Sequence, residues 1–206
     1  MLQPAGLRVR RPAKIHEGGT IARVRNVASR ELPSDLARIY EEFAGAYGPF
    51  GNQVAVFAHV PAAVRHLMPL LIELREAKTL PKRYLELAIV AVSKLNECEY
   101  CVAHHTPFLA VEGVSPAGAQ RILDYREHPE LDDIDRLVVE YAVAVTERPN
   151  RLPEAMFARL RRHFSEVQIV ELTLRITLCG FFNRFNDALQ IEGEAEVASA
   201  VAALQS

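Results

Sequence analysis

With 206 residues, half of them hydrophobic, the chain is long enough to bury one substantial core. A net charge of −2 removes any global electrostatic case for binding nucleic acid or an anionic membrane. Three cysteines, two of them in one CxxC, exclude a secreted disulfide scaffold and fit a reducing cytoplasm.

Residues 1–31 differ from the rest. Arg8, Arg10, Arg11, Lys14, Arg23, Arg25 and Arg30 face only Glu17 and Glu31, and Gly18-Gly19 interrupts the segment. Ile21, Val24 and Val27 are too sparse to build a core. Met1–Arg11 lacks the apolar run of a secretory signal. The expected boundary divides an arm, 1–31, from a domain, 32–206. The arm either trails in solvent or packs on a neighbouring subunit. No aromatic side chain interleaves with its arginines, which argues against a nucleic-acid grip.

Pro33-Ser34-Asp35 opens a helix carrying Leu36, Ile39, Tyr40 and Phe43 at helical spacing. Gly45, Gly48-Pro49 and Gly51-Asn52 end it, and Val54–Val60 is a short apolar segment. Val64, Leu67, Met68, Leu71 and Leu74 predict a helix to about Ala77, with Pro69 as a candidate kink. Pro81 precedes the next helix, Lys82–Leu95, which is apolar on most sides and therefore centrally buried. A lone carboxylate there, Glu86, is expensive unless it is paired. Either it pairs with Lys82 or Arg83 at the helix edge, or it serves a site.

The following helix starts with the CxxC. Cys98, Cys101 and His105 stand at i, i+3 and i+7, on one helical face. Asn96 is the expected cap with Glu99 as capping-box partner, which puts Cys98 in the first turn, where the helix dipole favours a thiolate. The helix runs to about Glu112 with Pro107 inside it. Pro116–Tyr125, Leu131–Thr146 and Glu154–His163 follow as helices. Ser165-x-x-Gln168 is a capping box opening a long helix from Glu166 to about Leu189. At an offset of 85, Glu171-Leu172 aligns with Glu86-Leu87, and Asn183 and Asn186 align with Cys98 and Cys101. This suggests a faint two-fold internal repeat whose second copy has no thiols. The fold class is all-α. No apolar stretch is long enough to span a bilayer.

CxxC with a nearby histidine supports a redox dithiol. One sulfur attacks a peroxide and the other condenses with the resulting sulfenic acid. The imidazole supplies the proton, and Glu86 orients or relays for His105. A zinc site would need a further ligand pair, and none stands at a usual spacing. Two plain core cysteines would not require the histidine. His104 points about 100° away from His105 and is expected at a surface or interface. Cys179, in an apolar helix, reads as inert core. His59, His66, His128 and His163 have no partner legible in sequence.

Glu86-x11-Cys98-x2-Cys101-x3-His105 resembles the signature of the alkylhydroperoxidase D-like (AhpD-like) proteins of the carboxymuconolactone decarboxylase superfamily. The likeness runs from about Pro61 to His105 and is weaker over Phe182–Leu189. It implies an all-α AhpD-like fold and a peroxidase acting on hydrogen peroxide or organic hydroperoxides. In that reading Cys101 attacks, Cys98 resolves, and Glu86 and His105 relay the proton. The resemblance also implies no haem or metal, a lipoyl-type or thioredoxin-like dithiol reductant, and a homo-oligomer. Tyr100 departs from family members that carry a histidine between the cysteines, so no relay is assigned through it. Two rival readings are a redox sensor or disulfide-exchange partner, and a decarboxylase-type enzyme that would need no thiol pair.

Overall fold

The computed structural model describes residues 22–195, 197, 199 and 201. Among these residues the regular structure is entirely helical: α1 (Ser34–Glu42), α2 (Gly51–Phe57), α3 (Pro61–Ala77), α4 (Lys82–Leu95), α5 (Glu99–Val111), α6 (Pro116–Gln120), α7 (Asp133–Glu147), α8 (Glu154–Leu160) and α9 (Glu166–Leu189), joined by short tighter or wider turns.

The all-apolar helix is central, as its composition requires. Residues Leu87 to Ser93 of α4 are buried, and α5, α7 and α9 pack around it. A large core joins α4 to α7, α9 and the 114–131 segment. A second core, under α2, α3 and α5, holds Phe43, Phe50, Met68, Cys98 and Cys101. Arg83 ties the first core together. It donates to both oxygens of the fully buried Asp135, at 3.1 Å from Nε and 2.6 Å from Nη2, and to the backbone carbonyls of Glu112 and Glu130. Its charge is therefore spent on α7, and it does not pair with Glu86.

Several local expectations are corrected. Asn96 does not cap the CxxC helix. It closes α4, Glu97 turns through a left-handed φ of 57°, and Cys98 is the N-cap of α5. Val54–Val60 is largely the helix α2, whose turns bury Gln53 to Phe57. Pro69 and Pro107 lie inside continuous helices. Ser165 and Gln168 form the expected capping box, with Gln168 Oε1 accepting from Ser165 N at 2.9 Å.

Of the basic arm, residues 1–21 lie outside the described residues. The remainder lies against its own domain. Arg23 N donates to Leu189 O at 2.9 Å and Val27 N to Ala55 O at 3.1 Å. Val27 is buried with Leu36, Ala58 and Val64, so a residue judged too isolated for a core joins one through its neighbours in space.

Candidate active site

Glu86 projects from the second turn of α4 and His105 from the middle of α5. Their side chains meet, with His105 Nδ1 2.8 Å from Glu86 Oε2. Both are mostly buried, at 15% and 12% side-chain exposure. The carboxylate can only accept, so Nδ1 carries a proton and Nε2 is the nitrogen left to exchange one. Glu86 thus meets its burial cost by holding an imidazole.

Cys101 and His105, one turn apart, line the same cavity of about 40 Å³, with Tyr47, Phe50, Gln53 and Arg175 among the other wall residues. A second cavity of about 50 Å³ is also lined by His105, with Glu86, Phe108, Lys82 and again Arg175. The chain enters this region through a wide π-type turn, Phe43–Tyr47, a geometry that recurs at functional sites. Gly48 follows at φ 150°, and a Cβ there would lie 2.9 Å from the Phe50 ring. Only glycine lets Phe50 fold back here, and its ring stacks near both His104 and His105, with centroids 5.2 and 5.4 Å away.

The two sulfurs are unequal. Cys98 is fully buried and Cys101 nearly so. The Cys98 thiol is pushed far up by its hydrogen bond to Cys101 and by burial. This overturns the expectation that the helix start favours a thiolate at Cys98, because desolvation and the neighbouring sulfur outweigh the dipole. Asn186 Nδ2 also donates to Cys101 Sγ, at 3.3 Å, and is itself fixed by Gln53 Nε2 at 3.0 Å. Two donors therefore converge on the Cys101 sulfur, an arrangement that supports negative charge there.

His104 is corrected. It is fully buried, with Nδ1 2.6 Å from Tyr100 O and Nε2 2.5 Å from Glu194 Oε2. Glu194, from the segment after α9, also accepts from the Tyr100 hydroxyl at 3.1 Å and from Asn52 N at 2.6 Å. Tyr100 is pushed far up by burial and by Glu194, so it donates and does not serve as a base. Cys179 is a buried thiol beside Ser93, raised to about 12 by burial, and stays protonated at neutral pH. His128 is buried against Gly118 O and the Glu130 N–H, a structural histidine. Among the described residues no group of three or more His, Cys, Asp or Glu could hold a metal ion, and no helix is long and apolar enough to cross a membrane.

The family model for the carboxymuconolactone decarboxylase family matches residues 58–128, which span α3, α4, α5 and α6. Glu86, Cys98, Cys101 and His105 all fall within it. Over this segment the chain is similar to the carboxymuconolactone decarboxylase family. An uncharacterized Escherichia coli (strain K12) protein, YnjA, is 27% identical over 150 residues, covering 72% of this chain and 82% of its own. The AhpD-core, peroxidase-related protein from Ralstonia eutropha JMP134 superposes with a TM-score of 0.73 at 22% identity, over 89% of this chain and 97% of that one. A variant of the debrominase Bmp8, in complex with 2,3,4-tribromopyrrole, superposes with a TM-score of 0.68 at 17% identity, over 91% and 98%. At these identities the structural likenesses concern the AhpD-like fold.

Three residues of the site escaped sequence reasoning: Tyr47, Gln53 and Arg175. Arg175 carried a signal, being a charge inside an apolar helix with Glu171 one turn earlier, the argument that singled out Glu86. Asn186 was singled out by the offset alignment and lies on Cys101. Tyr47 and Gln53 carried none.

Proposed function

We propose that the protein is a thiol-dependent peroxidase reducing hydrogen peroxide or organic hydroperoxides. The observation that carries this reading is the cavity lined both by Cys101 and by a histidine held by a carboxylate at 2.8 Å. His105 Nε2 takes the Cys101 thiol proton, the thiolate bonds to the terminal peroxide oxygen as the O–O bond breaks, and Nε2 returns that proton to the leaving oxygen. Cys98, kept as a thiol, then condenses with the Cys101 sulfenic acid to form a disulfide and water.

An external dithiol, lipoyl-type or thioredoxin-like, restores the pair by exchange. A groove of about 730 Å³ beside the start of α5, walled by Asn96, Glu97, Glu99, Tyr100 and Asp187, is its route of approach. Val167, Val170 and Phe181 leave an apolar stripe exposed on α9, which supports a homo-oligomer; light scattering on the purified chain tests this.

Peroxide consumption driven by dihydrolipoamide tests the reading. Cys98→Ser and Cys101→Ser are each expected to abolish turnover. Glu86→Gln keeps the shape but loses the charge that orients His105, and is expected to lower kcat roughly tenfold with little change in KM. Turnover that survives both cysteine replacements would overturn the proposal.

A further inference from the structure

Arg175 is the charged group on the cavity wall that peroxide chemistry leaves unused. It lies near the middle of α9 with 4% of its surface exposed. A guanidinium cannot shed its proton, so burying one demands full pairing. Here the pairing is incomplete. Glu171 Oε1, one turn earlier, is 3.6 Å from Nε, which is an ion-pair distance and not a hydrogen bond. The Tyr47 hydroxyl is a further neighbour. Nε itself is buried with no hydrogen-bond partner among the described residues.

The same side chain walls both cavities, beside Cys101 and His105 in one and beside Glu86 and His105 in the other. Arg75, Lys82 and Arg175 stand with Glu86 around the second cavity, and Glu171 stands behind Arg175. Lys82 is exposed and marks the mouth, while Arg175 lies at the inner end. The cavities, about 40 and 50 Å³, are small. A water occupies roughly 10–15 Å³ on that measure, so each holds only a few heavy atoms. Leu71, Ile89, Leu178 and Phe182 give the first an apolar lining suited to a short carbon chain.

We propose that Arg175 anchors an anion subsite, so that the protein takes small carboxylates and sets their reactive atom beside Cys101. The substrate class rests on the peroxidase reading: it is a short-chain hydroperoxide or peroxy acid that carries a carboxylate. Arg175 takes the carboxylate through charge-assisted hydrogen bonds. Cys101 sulfur bonds to the terminal peroxide oxygen, the O–O bond breaks, and the leaving oxygen takes its proton from His105. The subsite itself does not depend on peroxide.

Alkylation tests it without turnover. Iodoacetate and iodoacetamide are nearly the same size and differ in carrying a carboxylate or a neutral amide. In both, the Cys101 sulfur forms a bond to carbon and iodide leaves. Rates are read by mass spectrometry on the peptide containing Cys101 of the full chain, with glutathione as free-thiol reference. The iodoacetate-to-iodoacetamide rate ratio at Cys101 is expected to exceed that of glutathione by about tenfold or more, the size of one charge-assisted contact. Propionate should slow the iodoacetate reaction. Arg175→Gln should bring the ratio down to that of glutathione, and Arg175→Lys should keep part of the preference.

If Arg175→Gln unfolds, Cys98 and Cys179 alkylate too, and the wild-type ratio with propionate competition still decides. A wild-type ratio equal to that of glutathione, or no protection by propionate, overturns the subsite. A clear preference in a protein that turns over no peroxide keeps the subsite and removes the peroxidase reading instead.

Discussion

His104 and His105 are consecutive on α5, each stacks near Phe50, and each meets a carboxylate, yet they occupy different worlds. His104 is fully buried, and both ring nitrogens end on acceptors, Tyr100 O and Glu194 Oε2. A carbonyl and a carboxylate thus engage both ring nitrogens. Nothing is left for chemistry, and the pair fastens the segment after α9 onto the CxxC helix. His105 spends one nitrogen on Glu86 and keeps the other for a cavity that Cys101 shares. A histidine–carboxylate pair therefore does not by itself mark a reactive site. An unspent nitrogen facing a space that a substrate can fill does.

The largest expected effect separates the two directly. His105→Gln, whose amide can still donate to Glu86, should lower peroxide turnover by roughly 10²-fold or more, the contribution of a positioned general acid, while thermal unfolding moves little. An unchanged kcat would erase the distinction. His104→Ala should do the reverse. It removes a buried ring together with its contacts to Glu194 Oε2 and Tyr100 O, and chemical denaturation should show a loss of about 2–4 kcal/mol with kcat within about threefold of wild type. A large kcat loss in a stable His104→Ala protein would put that face in the chemistry as well.

A third thiol sharpens the contrast between buried and reactive groups. Burial raises Cys179 to about 12, above its ordinary value of 9.0. The native state keeps this proton while the unfolded chain loses it, so the stabilisation is complete below about pH 9 and is lost as pH rises toward 12. Urea unfolding should therefore show wild type losing about 1.4 kcal/mol more per pH unit above pH 9 than Cys179→Ala. Parallel pH profiles would show that Cys179 is not held as a thiol. The smallest effect belongs to Tyr100→Phe. It removes the hydroxyl that donates to Glu194 at 3.1 Å and meets the Gln53 backbone, and should cost about 1 kcal/mol without a change in turnover.

Much of the fold was legible because its signals are local. The bounds of α4 and α9 follow from Pro81, from the Ser165–Gln168 box and from the run of apolar residues between charged ends. The start of α5 was misread by two residues, because Asn96 is a good cap in isolation. In the chain the α4 helix claims it, and the turn at Glu97 leaves Cys98 to cap α5. His104 was misread for a related reason. Helical spacing gives the direction of a side chain along its own helix, and Glu194 lies 90 residues away.

By itself the sequence determined an all-α chain, a central helix with one costly carboxylate, and a CxxC–histidine face at fixed helical spacing. Those features depend on residues within a few turns of one another, where periodicity and capping act. Only the tertiary structure decided that Glu86 meets His105 and not Arg83, that Asn186 and Cys98 both donate to Cys101, and that Arg175 ends in the same cavity. Each of these depends on which helices pack together and how much water their packing excludes, and desolvation is what turns proximity into chemistry.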